Sequence, residues 1–561
     1  MRMRRRAPAE RPLNTRGMVW WKGGHRHPVH ASRLVSWSRG LVVSGRLTAD
    51  SLAQVYPPSA LRKGIARVKD FPWRRTAHAV LGILAVVALT GAWLTNNSNV
   101  ARADASAQGE PGGFNAYFVG GTVAPPTEAQ CHAIARRCFN PTAMAGSYDY
   151  AGLHASGIVG SGITIAVVDS FGSATIASDL NNFDNAFNLQ HLCGEANYTC
   201  QPGDPTFKIL NVQGSPPPNP PPPSNGTGQE AHDLWAVEVS LDVEWAHATA
   251  PGANILLVTT PTAETLGVQG FQQFMNAEQY VIDHHLADVI SQSFGAGEGS
   301  FHNGLAALQN LRQPFIAAQA NHVTVLASSG DNGTANPMKE PVKNPAVIPY
   351  PSVGWPASDP LVTAVGGTYL CTDTDTGTTV DSSPPSGSCP SFPGQREVGW
   401  IAGGGGYSIL FPRPDYQNTL PPGSTFVGSS VGAPGPNSNM RGVPDIAYQA
   451  SARTGVLVYD QGEGGWFVVG GTSCGSPQWA GLIAMADQMK GSDVGFINPA
   501  LYSIANNPAK YAADFHDVTV GNNQLDPSIP GYSASTGWDA VTGLGSPDAA
   551  HLLPDLVAAT S

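Results

Sequence analysis

The sequence predicts an α/β fold in which helices flank a mostly parallel central sheet. Three observations lead to this expectation: short apolar runs bounded by glycine, segments of helical periodicity between those runs, and a composition rich in turn residues. The 561 residues include 64 Gly and 47 Pro, and 42% of them are hydrophobic. This composition allows a large core and is typical of a loop-rich globular protein, not of a helical bundle or a coiled coil.

The apolar runs predict buried parallel strands, because a strand covered by helices on both faces has no polar side with which to alternate. The runs are Gly162–Asp169, Asn254–Val258, Val289–Ser293, Val323–Ser328, Val362–Val365 and Gly455–Tyr459. Two segments of helical periodicity, Phe271–His284 and Gly304–Gln319, lie between them. This alternation indicates an α/β domain with a mostly parallel sheet.

Charge divides the chain into a basic N-terminal extension, residues 1–76, and an acidic remainder. The extension carries 17 Lys/Arg and 3 Asp/Glu, whereas residues 77–561 carry 13 and 38. Such a basic arm could bind nucleic acid or a membrane surface, or it could be a long n-region or a stretch upstream of the true start codon. The acidic remainder would repel phosphates, so we expect no nucleic-acid binding by the main domain. Its scarcity of Lys and Arg suits an acidic medium, because protonating the carboxyls leaves little positive self-repulsion.

Residues 77–105 are predicted to be a signal sequence. An apolar run from Ala79 to Leu94 follows Arg74 and Arg75, and small residues come after it. This order is typical of a secretion signal, here cleaved after Ala103 or Ala105. A single membrane anchor is the alternative. We therefore expect a secreted protein, or otherwise a membrane-anchored one whose main domain faces outside.

Cysteine spacing supports an oxidising compartment. Six of the seven cysteines fall into three local pairs, Cys131/Cys138, Cys193/Cys200 and Cys371/Cys389, and Cys474 is left alone. Close pairs in loop-like sequence suit disulfides. We find no CxxC unit or Cys/His cluster in the sequence that would indicate zinc.

The rest of the chain divides into a short connecting segment, residues 106–145, and a main domain, residues 146–561. A proline-rich stretch, Ser215–Ser224, interrupts the main domain. We interpret it as a surface loop of polyproline II conformation.

A serine motif is the strongest local signal for chemistry. In Gly470–Gly481 (GGTSCGSPQWAG), glycines lead into Ser473, and an apolar helical segment follows. A serine hydroxyl at the N-terminal end of a helix lies where free N–H groups and the helix dipole favour a developing anion. Taken alone, the motif fits a helix-capping serine equally well. Cys474 is a rival nucleophile, but no His motif accompanies it.

A pair of acidic residues lies on a predicted helix. Leu234, Val237 and Leu241 form an apolar stripe, and Glu238 and Asp242 stand beside it at positions i and i+4. Their carboxyls are therefore expected to meet. Two close carboxyls do not both ionise readily, so one keeps its proton to higher pH and the pair can share it.

An alternative interpretation of this pair is a solvated acidic face that also includes Asp233 and Glu244. A third acidic residue, Asp331, follows the apolar run Val323–Ser328 in a Gly-Asp-Asn-Gly sequence. The same four residues are also ideal for an ordinary turn at the end of a strand.

The serine motif resembles the nucleophile motif of the subtilisin-like clan of peptidases. Subtilisins also need an early Asp followed by Thr/Ser-Gly, and a His-Gly motif that supplies the base. Asp169-Ser170 matches the first in part, but Phe171 replaces the glycine and no His-Gly motif follows. The chain is instead similar to the sedolisins, the serine-carboxyl peptidases of this clan, over nearly all of residues 145–550.

This resemblance implies a subtilisin-like domain and an acid peptidase mechanism. Ser473 would be the nucleophile, Glu238 the general base, and Asp242 the residue that orients Glu238. Asp331 would be protonated and would donate a hydrogen bond to the oxyanion. The implied activity is a secreted acid endopeptidase acting on polypeptides; a tripeptidyl-aminopeptidase of the same family, or a non-catalytic binding protein on this scaffold, are the alternatives.

The resemblance also implies substrate-binding segments. Ser293, Phe294 and Gly295 match the family's cleft strand, and Gly404 and Gly405 belong to its glycine-rich wall. Both segments could pair with an extended peptide through backbone hydrogen bonds.

One calcium ion is implied near the C-terminus. The matching ligands are the side chains of Asp517 and Asp539 and the backbone carbonyls of Val518, Ser535 and Gly537. An all-oxygen set of this kind suits calcium. Ser535 replaces a glycine of the family.

The family's long N-terminal prosegment has no counterpart in the predicted organisation. Only about forty residues, 106–145, lie between the predicted cleavage site and the predicted main domain, which is too short for such a domain. We expect a monomer with a polypeptide substrate, and membrane attachment only if residues 79–94 stay uncleaved.

Overall fold

The fold follows from the computed structural model, which describes residues 115–212, 232–263, 268–301, 303–338, 347–381, 389–422, 424, 430–431 and 439–561. The strands are β1 (Asn115–Gly120), β2 (Arg137–Phe139), β3 (Thr164–Ser170), β4 (Phe207–Asn211), β5 (Asn254–Thr260), β6 (Val289–Gln292), β7 (Ala296–Gly297), β8 (Thr324–Ser328), β9 (Gly354–Trp355), β10 (Thr363–Leu370), β11 (Glu397–Gly399), β12 (Gly406–Pro412), β13 (Ser430–Val431), β14 (Met440–Val443), β15 (Ile446–Gln449), β16 (Thr454–Asp460), β17 (Gly465–Gly470), β18 (Phe515–His516), β19 (Gly531–Tyr532) and β20 (Ser546–Pro547). The helices are α1 (Glu128–Ala133), α2 (Pro141–Ser147), α3 (Ala151–Ala155), α4 (Ile176–Phe187), α5 (His232–Thr249), α6 (Val268–Asp283), α7 (Leu305–Leu311), α8 (Gln313–Ala320), α9 (Gly475–Lys490), α10 (Asn498–Ala505), α11 (Pro508–Asp514) and α12 (Ala549–Ala559).

The central sheet has eight strands in the order β11-β10-β8-β6-β3-β5-β4, with β15 also paired to β10. Every pair is parallel except β10 with β11. In the middle of the sheet, Ile165 of β3 lies opposite Ile255 of β5 and Val289 of β6. The α/β fold class is therefore confirmed, and five of the six apolar runs contribute strands to this sheet.

The sixth run, Gly455–Tyr459, belongs to a second sheet. This sheet has the order β1-β17-β16-β2, and β16 and β17 form an antiparallel hairpin. Its outer strands β1 and β2 come from residues 115–139, so the predicted connecting segment 106–145 is partly built into the folded domain. The run was predicted as a parallel strand like the other five, but it pairs outside the central sheet, because an apolar run does not specify its pairing partner.

Helices α5 and α9 form the centre of one face of the central sheet. Helix α5 contacts β3, β16 and α9. The two helices approach closely at Gly481, where an added Cβ would lie 2.7 Å from Thr249 Cβ. A larger residue at position 481 would push α9 away from α5.

The segment Gly304–Gln319, predicted as one helix, forms two. Helix α7 ends at Leu311, Arg312 is non-helical, and α8 begins at Gln313 with Pro314 in its first turn. Proline lacks the N–H that a continuous helix would need and its ring clashes with the preceding turn, so the break falls just before it.

The three predicted disulfides are confirmed as Cys131–Cys138, Cys193–Cys200 and Cys371–Cys389, and Cys474 is a free, buried cysteine.

The predicted basic extension, the signal sequence and the proline-rich loop lie outside the described residues. Within the part of the chain that is described, no helix is long and apolar enough to cross a membrane.

Candidate active site

Ser473 lies in the tight connection between β17 and α9. A single 3₁₀ turn, Thr472–Cys474, joins the strand to the 16-residue helix, and Ser473 is 7% exposed. Gly471 enters this turn with φ of +129°, and an added Cβ there would lie 2.7 Å from Asp331 Oδ2. Only glycine fits this conformation without strain. The predicted position of Ser473 before a helix is therefore confirmed.

Asp331 is bound to this turn. Its Oδ1 accepts hydrogen bonds from the backbone N–H of Thr472 at 2.8 Å and from Thr472 Oγ1 at 2.9 Å. The N–H of Gly330 donates to Thr472 Oγ1 at 3.0 Å. Asp331 follows strand β8, as predicted. Its hydrogen bonds hold its carboxyl against Thr472, the residue that precedes Ser473. A turn that only ends a strand would not need these contacts.

The carboxyls of helix α5 are buried. Glu238 is 6% exposed, and Asp242 and Glu244 are fully buried. The interpretation of these residues as a solvated acidic face is therefore wrong for all three. The apolar stripe is confirmed at Val237 and Leu241, which belong to the core.

Asp242 lies within a chain of three carboxyls. Burial raises the pKa of Asp242 well above its ordinary value, the charges of Asp169 and Glu238 raise it further, and the hydroxyl of Ser293 opposes the rise. Asp169, at the end of β3, is fully buried, and burial raises its pKa to about 8. In this low-dielectric site at least one proton is held among these carboxyls at mildly acidic pH.

Asp169 is the residue that the sequence interpretation missed. The sequence relates Asp169 only to an incomplete subtilisin motif, Asp169-Ser170. Its place at the carboxyl end of a central parallel strand was the available signal, since binding and catalytic groups gather at that edge of α/β sheets.

Helix α5, which carries Glu238 and Asp242, packs against the turn Thr472–Cys474, and Asp331 is hydrogen-bonded to the same turn. Burial raises the pKa of the Cys474 thiol, and the charges of Glu238, Asp331 and Asp242 raise it further. All three carboxyls are thus close to the residue that follows Ser473. Because Cys474 is fully buried and its thiolate is disfavoured, its role as a rival nucleophile is not supported.

Of the three residues predicted to form the substrate-cleft strand, Phe294 has its ring in the hydrophobic core. Ser293 follows β6 and lies beside Asp242, as its effect on that carboxyl indicates. The ring of Phe294 is 4% exposed and stacks on Phe274 with 3.9 Å between ring centroids. Any contact of Phe294 with a substrate would therefore involve its backbone, because packing occupies its ring. Gly295 lies next to the backbone carbonyl of Trp355.

The glycine-rich wall is attached to the Asp331 loop. Gly404 donates its N–H to the carbonyl of Gly330 at 2.7 Å, and its own carbonyl accepts from Ser329 Oγ at 2.6 Å. The carbonyl of Gly405 accepts from Asn523 Nδ2 at 3.4 Å. Since Gly404 already uses both backbone groups, its pairing with a substrate strand is less favoured than the sequence implied.

The C-terminal loops bring the predicted calcium ligands together. Asp517 Oδ2 accepts from the N–H of Gly537 at 3.0 Å, and Asp539 Oδ2 accepts from the N–H of Ser535 at 2.9 Å. Burial raises the pKa of Asp539 to about 7, and the Asp517 charge adds to that rise. Two mutually repelling carboxylates, Asp539 buried and Asp517 half-buried, suit a bound cation.

The backbone oxygens of this region also fit a cation. Among the described residues, no donor forms a hydrogen bond with the carbonyls of Val518, Ser535 or Gly537. The two loops thus supply an all-oxygen set of carboxylates and unpaired carbonyls, the chemistry that calcium prefers. The replacement of glycine by Ser535 leaves its carbonyl in place.

Comparison with known proteins identifies first the class and then the family. Residues 160–500 match the sequence model of Peptidase_S8, the subtilase family, to which the chain therefore belongs. Its relatives include kumamolisin and sedolisin, and a matching solved structure is that of Pseudomonas sedolisin, a serine-carboxyl proteinase. The chain is a member of the sedolisin family.

Two curated relatives and one solved structure illustrate the similarity. Kumamolisin from Bacillus sp. strain MN-32 is 34% identical over 331 residues, which cover 58% of this chain and 51% of that protein. Tripeptidyl-peptidase sed1 from Aspergillus fumigatus is 30% identical over 286 residues, 47% of this chain and 40% of the relative. The structure of Pseudomonas sedolisin, complexed with two molecules of pseudo-iodotyrostatin, is 28% identical with a TM-score of 0.55 and covers 75% of this chain and 98% of that one. The chain thus spans about half the length of the curated relatives that it matches.

The buried carboxyls predict that the folded protein is more stable in acid than at neutral pH. Asp169 keeps its proton to about pH 8 in the folded state, whereas an unfolded Asp loses it near pH 4. Its contribution to the free energy of unfolding is therefore present below about pH 4 and is lost as the pH rises through about 8. Asp169→Asn, which stays neutral at every pH, should make the difference between urea unfolding at pH 4.5 and pH 8 smaller. Asp283→Asn, at an exposed site, should leave that difference unchanged, and an equal effect of both variants would contradict the assignment.

Proposed function

We propose that this protein is a secreted acid serine-carboxyl endopeptidase that hydrolyses peptide bonds in polypeptides. The observation that carries the proposal is the convergence of Glu238, Asp242 and Asp331 on the turn that holds Ser473. The three disulfides support secretion, because such bonds persist in oxidising compartments.

Ser473 would attack the carbonyl carbon of the scissile bond while Glu238 accepts the hydroxyl proton. Asp242 would orient Glu238, and its buried contact with Asp169 would hold a further proton beside the pair. After the C–O bond forms and the C–N bond breaks, Glu238 would return its proton to the leaving amine. Water would then attack the acyl-enzyme by the same steps in reverse, releasing the second product and restoring the Ser473 hydroxyl.

Asp331 would act on the oxyanion. Its Oδ1 already accepts two hydrogen bonds from Thr472, so the proton of the neutral acid would be carried by Oδ2. That proton and the backbone N–H of Ser473 would be donated to the developing negative charge. An ionised Asp331 would repel the same charge, so activity is expected to decline as the pH rises towards neutral.

Variants of the nucleophile test this proposal most simply. Ser473→Ala should lower kcat on a denatured protein substrate at pH 3–5 by at least about a thousandfold, because the acyl-enzyme cannot form. Ser503→Ala, at an exposed helix position, should digest the substrate at the wild-type rate. The proposal fails if wild type shows no proteolysis between pH 2.5 and pH 6 with calcium present.

The same digestion separates the two peptidase activities. Similarity to tripeptidyl-peptidase sed1 favours the release of tripeptides from free N-termini as the second candidate. Mass spectrometry of products from a long peptide should reveal internal cleavage for an endopeptidase. A ladder of three-residue steps, abolished by N-terminal acetylation, would instead establish a tripeptidyl-peptidase.

We further propose that Asp517 and Asp539, with the carbonyls of Val518, Ser535 and Gly537, hold one calcium ion. The ion would join two loops and supply no chemistry to the reaction. A calcium chelator should lower the Tm of wild type by at least about 4 °C. Asp517→Asn should begin with a lower Tm and respond little to the chelator. An unchanged wild-type Tm in chelator would contradict the site.

A further inference from the structure

A second group of buried titratable side chains lies at the end of helix α5, in the region that follows α4. Asp184 is in the last turn of α4, His191 and Glu195 are in the loop after it, and His247 is in the last turn of α5. These four residues take no part in the proposed reaction. We call them the α4–α5 cluster.

Atoms suited to metal ligation converge within this cluster. Asp184, His191 and Glu195 each offer one ligand atom, and these atoms all lie within 4.8 Å of one another. His191 Nδ1 is 2.6 Å from Glu195 Oε2 and 3.9 Å from Asp184 Oδ2. His247 Nε2 lies 3.3 Å from the same Asp184 oxygen. Ligands at about 2.0 Å from a tetrahedral ion would stand roughly 3.3 Å apart. The three separations above, 2.6, 3.3 and 3.9 Å, lie around that value.

Two members of the cluster lack the partners that their burial demands. Asp184 and His247 are both fully buried. Among the described residues, neither carboxylate oxygen of Asp184 and neither ring nitrogen of His247 makes a hydrogen bond of normal geometry. Their 3.3 Å contact is an ion-pair contact without hydrogen-bond angles. Buried polar groups in this condition call for a missing partner.

Surrounding groups hold the ligands in place. Glu195 Oε2 accepts from Asn181 Nδ2 at 3.1 Å, and its Oε1 accepts from the N–H of Leu192. The disulfide Cys193–Cys200 closes the loop beside Glu195. Contacts of this kind orient metal ligands in known sites.

We propose that Asp184, His191, Glu195 and His247 bind one divalent transition-metal ion, with zinc the favoured ion. Two imidazoles and two carboxylates suit zinc, whereas calcium prefers oxygen ligands alone. The two carboxylates balance the charge of the ion. Four protein ligands leave no open position, which is typical of a structural site.

The ion would connect α4, the disulfide-closed loop and the last turn of α5. Helix α5 also carries Glu238 and Asp242, so the metal would stabilise the helix of the candidate active site without touching it. This inference does not depend on the proposed peptidase activity, because it concerns ion binding and stability alone. The competing account is an imidazolium–carboxylate network that holds protons and no metal.

Metal binding to the full chain tests the inference. The protein, purified without a polyhistidine tag and stripped with chelator, is titrated at pH 7 with Zn²⁺ by calorimetry and with Co²⁺ by visible absorption. We expect one Zn²⁺ per chain, a raised Tm, and a Co²⁺ spectrum typical of tetrahedral ligation. His247→Asn and His191→Gln should each weaken Zn²⁺ binding by at least about tenfold.

Two controls separate this site from others. His284→Gln alters an exposed histidine next to His285, a pair that could bind metal adventitiously, and should leave Zn²⁺ affinity unchanged. Asp517→Asn, in the calcium loops, should also bind Zn²⁺ normally. If His247→Asn does not fold, His191→Gln decides, because His191 lies in a loop and is 24% exposed. The inference is overturned if wild type binds no stoichiometric Zn²⁺, or if the variants that fold bind it as tightly as wild type.

Discussion

Burial of the carboxyls on helix α5 is the constraint on which the candidate active site depends. The helix is enclosed by β3, β16 and α9, and the side chain of Asp242 is fully buried. An ionised carboxylate is costly in such a place, so the pKa values of Asp242 and Asp169 rise and protons remain in the site. A buried pair of this kind is a suitable proton acceptor and donor only in acid, where a histidine would already be protonated.

The nucleophile is fixed by the same packing. Helix α9 places Ser473 at its N-terminal end, and Gly471, which has no Cβ, leaves room for the Asp331 carboxyl beside the turn. Thr472 holds that carboxyl by two hydrogen bonds, so the oxyanion side and the general-base side of Ser473 are attached to different elements of one rigid core. Such preorganisation is what electrostatic stabilisation of a tetrahedral intermediate requires.

Short-range sequence patterns predicted much of the fold and of the candidate active site. The buried parallel strands, the helix with Glu238 and Asp242, the turn before α9 and the three disulfides were all predicted from short-range sequence features. Features that depend on long-range pairing were not. The residues of β1 and β2 carry no signal that they join β16 and β17, and the strand-end position of Asp169 acquires meaning only beside α5. The α4–α5 cluster was not predicted for the same reason, because His247 is distant in sequence from Asp184 and the cluster matches no short zinc motif. The burial of the Phe294 ring was not predicted, because a motif does not tell which side of a strand faces the core.

The central claim is that Asp242 holds a proton well above its ordinary pKa because it is buried beside two other carboxyls. Infrared difference spectra of wild type minus Asp242→Asn, recorded from pH 3 to pH 8, test it most directly. The account predicts that the carbonyl band of a protonated carboxylic acid assigned to Asp242 persists well above the pH at which an ordinary aspartate ionises, about 4. A carboxylate band for Asp242 that rises with the midpoint of an ordinary aspartate would contradict the account.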